Sequence, residues 1–310
     1  MVYEKVKRCV IICGPTASGK TSLAIEISKK IGGEIINADS RQIYKFMDIG
    51  TGKPTIEQRK EVHHHLIDII NPDEKFDAGR FIAMADISYE EIIKRGKFSI
   101  LVGGTGLYIR AFEKGLIPSP PIPDEIKEEI LRKKEEKGVK FLYEELKRID
   151  PETADSISPA DFPRIERALS YFMVTGKKIS EMRRKHGFKE KRYETLKIYI
   201  EPPRDRLYKS IRERIYDMIK RGWIEETERL LKMGYDENSP GFTSVGYREI
   251  ASLIKGEVNM ESAIETIYKK TKEYARRQIF WFRNENSIKI EMPEASKVLK
   301  AVEAFYEIHS

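Results

Sequence analysis

The chain has 310 residues, 40% of them hydrophobic, enough for one large domain or two modest ones with a real core. It holds no run of about 18 apolar residues, which excludes a membrane-spanning helix, and residues 1–10 (MVYEKVKRCV) run straight into a strand pattern, so no cleaved signal is expected. A net charge of +7 favours a polyanionic partner. Cys9 and Cys13 would stand ~13 Å apart on an extended strand, which excludes a disulfide between them and fits a reducing cytoplasm.

In chain order, residues 7–13 (KRCVIIC) form an apolar, β-branched run, the signature of a buried strand. Gly14, Pro15, Thr16, Ala17, Ser18, Gly19, Lys20 and Thr21 follow in the pattern G-x-x-x-x-G-K-T, a phosphate-binding P-loop. A helix over 20–31, closed by Gly32 and Gly33, completes the strand–loop–helix context that the pattern requires. Loop N–H groups and the helix N-terminus make an anion nest. Lys20 is expected to reach a terminal phosphate and Thr21 to offer its hydroxyl to Mg²⁺. ATP is the first ligand such a loop brings to mind.

Residues 33–40 read as a second strand ending in Asp39 and Ser40, and 41–55 as a functional loop broken by glycine and proline. A third strand is expected at 65–70. A helix capped by Asp77 runs to about Arg95, with Phe81, Met84, Ile87 and Ile92 on one face. A fourth strand at 98–102 opens on Gly103, Gly104, Thr105 and Gly106, then a helix. Alternating strands and helices after a first-strand P-loop predict an α/β fold with a parallel sheet. The proline-rich stretch 117–123 marks a boundary. Helices are expected at 124–137, 139–149, 161–175 and 179–186, with a basic run over 183–192. Strand character returns at 196–200, so the helices are an insertion. The domains expected are a P-loop core of 1–115 and 195–310 and an all-helical insert of 116–194. Helices then fill 204–221, 222–233, 244–255 and 261–283, with a tail helix at 294–308.

The 98–102 strand ends without the carboxylate that a Walker-type ATPase needs. Asp39 is the acid at a strand end, expected beside the P-loop as a metal-associated ligand or general base, or simply as a turn former. Glycines around Thr105 are expected to let a substrate approach the backbone; Thr105 itself can cap the following helix. His63, His64 and His65 alternate faces on an extended segment and are not expected to share one ion. The helix at 271–283 interleaves Lys272, Arg276, Arg277 and Arg283 with Tyr274, Phe280, Trp281 and Phe282, a mixture suited both to nucleic acid and to an amphipathic core helix.

Seven ordered blocks together resemble the tRNA dimethylallyltransferase (tRNA isopentenyltransferase) family: GPTASGKT, ADSRQIYKFMDIGTGKP, HHHLIDIINPDEKFDAGRF, LVGGTGLYIRA, DPETADSISPADFPRIERALSYFMVTGK, PGFTSVGYREI and YARRQIFWFR. The resemblance implies an enzyme, here read as cytoplasmic from its cysteines and as a monomer by default. It would transfer the dimethylallyl group of dimethylallyl diphosphate to N6 of the adenosine 3′ of the anticodon, with Mg²⁺ and without ATP hydrolysis. It implies Asp39 as catalytic base, Thr105 on the target amine, and Lys20 and Arg214 on the diphosphate. The tRNA contacts it implies are Asp39, Ser40, Arg41, Gln42, Thr105, Pro163, Arg164, Ile165, Glu166, Arg167, Thr243, Ser244, Val245, Gly246, Tyr247 and Arg248, with the insert gripping the anticodon stem-loop. The chain departs from the family pattern at Ser210, Lys272 and Phe280. The rival readings are an isopentenyltransferase of free adenine nucleotides, a P-loop nucleotide kinase and an RNA-binding protein without activity.

Overall fold

A computed structural model describes residues 7–187 and 191–308. Residues 1–6, which bear on the signal expectation, and 188–190, inside the basic run, lie outside the described residues. The chain divides into two units, one holding the described residues up to Glu113 and from Arg192 onward, the other spanning Lys114–Lys191.

In the first unit, β1 (Arg8–Cys13), β2 (Gly33–Asn37), β3 (His64–His65), β4 (Phe98–Gly103), β5 (Glu194–Ile200) and β6 (Ile288–Ile290) form one sheet in the order β3-β2-β4-β1-β5-β6. All five pairings are parallel. Val10, Ile11, Ile12, Ile100, Leu101 and Ile198 are fully buried, as continuous apolar runs covered on both faces must be. The helices of this unit are α1 (Lys20–Ile31), α2 (Ile56–Glu61), α3 (Ala78–Lys94) and α4 (Gly106–Lys114). The second unit holds α5 (Asp124–Ile149), α6 (Pro151–Asp155), α7 (Phe162–Thr175) and α8 (Ile179–His186). After β5 come α9 (Arg204–Lys220), α10 (Trp223–Lys232), α11 (Tyr247–Ile254), α12 (Met260–Phe282) and α13 (Leu299–Tyr306). α1 stops at Gly32, which takes the left-handed conformation (φ 68°). Asp77 caps α3 by accepting the Arg80 N–H at 2.9 Å. No helix of the described residues is long and apolar enough to cross a membrane. Both cysteines are free and buried, and burial pushes the Cys9 thiol up to about 12.

Several expectations shift. β3 is two residues long, because Leu66 and Asp68 turn into the left-handed region (φ 61° and 58°) and break the run read as 65–70. Ile87 is exposed on α3, whose buried face instead carries Phe81, Ala85, Tyr89 and Ile92. β6 and α2 are additions that the sequence pattern does not predict. The helix read as 244–255 begins only at Tyr247, after a 3₁₀ turn over Pro240–Thr243.

The second unit packs Ile130, Leu142, Leu146, Ala154, Ile165 and Leu169 into its own core. α5 kinks at Gly138 (φ 80°), where the sequence pattern puts the break between two helices. Buried Asp150 caps α6 through Thr153 N–H (3.1 Å) and also accepts Ser180 N–H at the start of α8 (3.0 Å). One carboxylate thus satisfies orphan N–H groups at the starts of two helices.

β2 and β1 are not neighbours; β4 lies between them. Asp39 therefore comes to the P-loop by a longer route than adjacency of strands. The chain leaving β2 crosses the end of β4, with Ala38 N–H on Val102 O (2.7 Å) and Thr105 N–H on Ala38 O (3.3 Å). Gly103 permits the crossing, since a Cβ there would lie 2.1 Å from the Ala38 carbonyl oxygen. Gly103→Ala is expected to cost about 2 kcal/mol or more of stability by overpacking, and Gly138→Ala, with nothing within 4 Å, about 1–3 kcal/mol through a backbone conformation (φ 80°, ψ 167°) that is essentially glycine's alone. Denaturant unfolding of the two variants checks both costs.

Candidate active site

Three loops meet at the C-terminal end of the sheet. The P-loop takes positive φ at Gly14 (153°), Ala17 (62°) and Gly19 (84°). Gly14 is required because a Cβ would lie 2.6 Å from Ile200 O. The N–H groups of Ala17, Ser18 and Gly19 find no acceptor of good geometry among the described residues, and the buried Ser18 hydroxyl has no partner there. Thr16 N–H is not part of this free set: it donates to Gln278 Oε1 at 2.8 Å. A cavity of about 260 Å³ opens over the loop, lined also by Asp39, Gln42, Thr51, Gly52 and Arg214.

Two cations, Lys20 and Arg214, face this cavity without an ion-pair partner among the described residues. Lys20 Nζ donates to Pro15 O at 2.5 Å. Burial, and secondarily Arg214, lowers its pKa to about 8 against the pull of Asp39. Burial likewise lowers Arg214. Lys53, by contrast, is spent on Asp48 (2.8 Å) and Asp68 (2.5 Å). Arg214 packs on Gly52, where a Cβ would fall 1.7 Å from Nη2. Thr21 faces the same space, its hydroxyl without a hydrogen-bond partner among the described residues, and lines a second small cavity of about 30 Å³ with Lys20, Asn37 and Asp39. A free hydroxyl, an orphaned Ser18 oxygen and a nearby carboxylate are a donor set that suits a hard cation such as Mg²⁺.

Asp39 has both roles read from the sequence available to it. Its Oδ1 accepts Arg41 N–H at 2.9 Å, an Asx turn; its Oδ2 has no hydrogen-bond partner among the described residues. Thr105 Oγ1 accepts Ser40 N–H at 3.0 Å and donates to Ser40 Oγ at 3.2 Å. Its carbonyl starts α4 by accepting from Tyr108 and Ile109. Asp39, Arg214 and Thr16 also line a cavity of about 320 Å³ whose far wall is apolar, with Ile211, Ile215, Met218, Trp223 and Ile267. Tyr274 stands in that cavity. Burial and the charge of Asp39 hold its hydroxyl well above the usual tyrosine range.

The structure brings Lys20, Thr21, Asp39 and Arg214 together around one cavity. It corrects other assignments. The glycines flanking Thr105 admit protein, not substrate: Cβ atoms at Gly104 and Gly106 would meet Gln278 at 2.1 Å and Trp281 at 2.4 Å. Ile165 is fully buried in the second unit's core, and Tyr247 is fully buried in the first, so neither can touch a nucleic acid directly. Ser244 and Gly246 are buried or nearly so. Thr243 is exposed and accepts Arg41 Nη1 at 2.6 Å, Val245 lines the larger cavity, and exposed Arg248 donates to Glu237 O. Gln42 ties its loop to Gly52 O at 3.1 Å. In the second unit Arg164 is exposed, Pro163, Glu166 and Arg167 are on the surface, and Arg164 is paired with Asp161 at 2.6 Å.

His63 and His65, two apart, do share a face with Glu34. That carboxylate is already held by Arg95 (2.7 and 3.1 Å) and His65 (2.8 Å), which closes the group as an ion-pair network. Sequence reasoning missed Gln278 and Glu226, and read Tyr274 only as one aromatic of the basic helix. The signal for Gln278 is a lone amide inside a basic, aromatic helix, easily overlooked among its charged neighbours. Lys272 lies over the Tyr268 ring at 4.2 Å, and Phe280 is 77% exposed.

The family model described as IPP transferase matches residues 42–285. A tRNA dimethylallyltransferase of Geobacter metallireducens is 42% identical over 308 residues, covering 99% of this chain and all of the relative. Among solved structures, a tRNA delta(2)-isopentenylpyrophosphate transferase from Staphylococcus epidermidis superposes with a TM-score of 0.70 at 36% identity, covering 98% of this chain and 100% of the other. A eukaryotic dimethylallyltransferase acting on tRNA superposes with a TM-score of 0.78 at 29% identity, covering 89% and 69%. Fold and relatives agree on a parallel α/β transferase core. The chain belongs to the IPP transferase family.

The lowered Lys20 pKa gives a signed expectation. A bound anion restores the charge, so affinity for inorganic diphosphate is full below pH 8 and falls as pH rises through about 8. Lys20→Arg should remove that part of the pH dependence, leaving only the titration of diphosphate itself. Calorimetric titrations of both proteins from about pH 6.5 to about pH 10 check this.

Proposed function

We propose that this protein transfers the dimethylallyl group of dimethylallyl diphosphate to N6 of the adenosine 3′-adjacent to the anticodon in tRNA, as a cytoplasmic monomer. The observation that carries the reading is 42% identity to a tRNA dimethylallyltransferase over essentially the whole length of both chains. The site chemistry supports it.

The exocyclic amine of adenosine is a weak nucleophile, because its lone pair is delocalised into the ring. Attack on the allylic carbon forms the C–N bond and breaks the C–O bond to diphosphate. A proton must leave N6 as this happens, and Asp39 Oδ2 is the base assigned to it. The Thr105 hydroxyl, fixed by Ser40, orients the amine. Negative charge grows on the departing oxygen. The free N–H groups of the P-loop, Lys20 and Arg214 are fixed in advance where that charge appears, which is where electrostatic stabilisation lowers a barrier most. Mg²⁺ held at the Thr21 hydroxyl would add positive charge to the diphosphate. The apolar wall of Ile211, Ile215 and Met218 suits a five-carbon chain, and the cavity has room for the adenine beside it. The base must leave its stack to enter, at a cost of a few kcal/mol that a loop nucleotide keeps small. Arg164 and Arg167 of the second unit are assigned to tRNA phosphates.

Labelled dimethylallyl diphosphate offered with Mg²⁺ to unmodified tRNA, AMP and ATP tests the reading. Label in tRNA beside the anticodon is expected; label only in a free nucleotide would overturn it. Asp39→Asn should lower kcat by about 10²-fold or more with tRNA affinity unchanged; a near-normal kcat would remove the base. Charge reversal at Arg164 and Arg167 should reduce the salt dependence of tRNA binding by about one unit of slope for each phosphate no longer neutralised, measured by filter binding across a salt series.

A further inference from the structure

Glu226, on the buried face of α10, is 1% exposed and forms no ion pair among the described residues. Its carboxylate is met by hydrogen-bond donors alone. Oε2 accepts the N–H groups of Asp48 (2.8 Å) and Ile49 (2.7 Å); Oε1 accepts Gly50 N–H (3.1 Å) and the Tyr247 hydroxyl (2.7 Å). A buried carboxylate without a cation is costly, and only a full set of donors makes it tolerable. Apolar side chains would fill the same space more cheaply, so the arrangement points to something beyond packing.

That something is the loop it holds. Three successive N–H groups fixed on one carboxylate leave residues 48–50 a single conformation. Thr51 and Gly52 follow directly and line the phosphate cavity, and Gly52 lies against the guanidinium of Arg214. The turn is drawn tight by Gly52 N–H on Ile49 O (2.9 Å) and Lys53 N–H on Asp48 O (3.1 Å). One turn before Glu226 on α10, the Trp223 indole fills the places where Cβ atoms of Gly50 and Gly246 would stand, at 2.0 and 2.1 Å. The start of α10 thus fastens the wall of the phosphate cavity and the segment around Tyr247 to one helix.

We infer that Glu226 is a positioning residue for the diphosphate donor, acting through the 48–52 loop on the seat of Arg214. The inference rests on the proposed diphosphate role of the cavity. Glu226→Gln keeps the volume, but the amide presents a donor to N–H groups that need an acceptor. With inorganic diphosphate as the probe, calorimetry is expected to show binding weakened about 10-fold or more, at a temperature where circular dichroism shows the variant fully folded. In turnover the donor KM should rise similarly and kcat should fall as well, because Arg214 also faces the charge that grows on the leaving diphosphate. Tyr247→Phe, which removes one donor and leaves the three loop N–H groups engaged, should weaken diphosphate by less than about 3-fold. A merely structural role would lower stability and leave diphosphate affinity of the folded variant unchanged. That result, or a loss confined to kcat, overturns the inference. Absence of diphosphate binding to the wild-type protein would instead overturn the cavity's role, and the inference with it. If the Gln variant does not fold, Glu226→Asp, which withdraws the carboxylate from the loop but keeps its charge, carries the same test.

Discussion

Positive charge without a carboxylate partner is the constraint around which this molecule is arranged. Lys20 and Arg214 are both enclosed and both lowered in pKa by that enclosure, and Arg214 further disfavours the charge of Lys20. For Lys20 the shift corresponds to about 3 kcal/mol withheld from the charged form. A neighbouring acid could relieve this, and Lys53 shows the solution nearby, with two aspartates. In the phosphate cavity neither cation forms an ion pair among the described residues, and Asp39, which lines the same cavity, offsets the cost of burial only in part. An anion of two or more charges relieves both cations at once, and the free N–H groups of the P-loop add donors that water or ligand must satisfy. These energetics favour a polyanion in the site, as the proposed diphosphate role requires.

The neighbouring groups are placed by contacts far apart in sequence. Gln278 on α12 spans from Thr16 N–H in the P-loop to Gly104 O in the turn that carries Thr105 (2.8 and 3.0 Å). Glu226 on α10 fixes the loop that seats Arg214. Asp39 reaches the cavity only because Gly103 lets the chain cross the end of β4. The two cations and the carboxylate proposed as the base are thus held in register by two buried polar side chains and one missing Cβ. Small displacements there would separate groups that must act on the same molecule, a sensitivity expected of preorganised sites.

Much of this is legible in the sequence where the physics is local. The P-loop at 14–21 announces itself by glycine spacing, and the β1 and β4 runs by continuous burial. The Gly138 break in α5 and the Gly32 stop of α1 follow from glycine's access to positive φ. Asp39 is legible as an acid at a strand end. What escapes is what depends on tertiary contact. A glutamate one turn into a helix, as Glu226 is, looks like any solvated helical glutamate until the loop it binds is known. Gly104 and Gly106 look like room for a substrate until Gln278 and Trp281 are found filling that room. Tyr247 and Ile165 sit inside blocks that resemble tRNA contacts, yet burial is a property of the fold and not of the block. β6 is three residues long and becomes a strand only because β5 offers it an edge.

The central claim is that the P-loop holds a diphosphate that leaves, with no phosphoryl group transferred. A single-turnover reaction with enzyme in excess, Mg²⁺, tRNA and dimethylallyl diphosphate, free of any nucleoside triphosphate, addresses it directly. Equal yields of prenylated tRNA and inorganic diphosphate are the predicted result. A requirement for ATP, or release of orthophosphate in step with the product, would contradict the account.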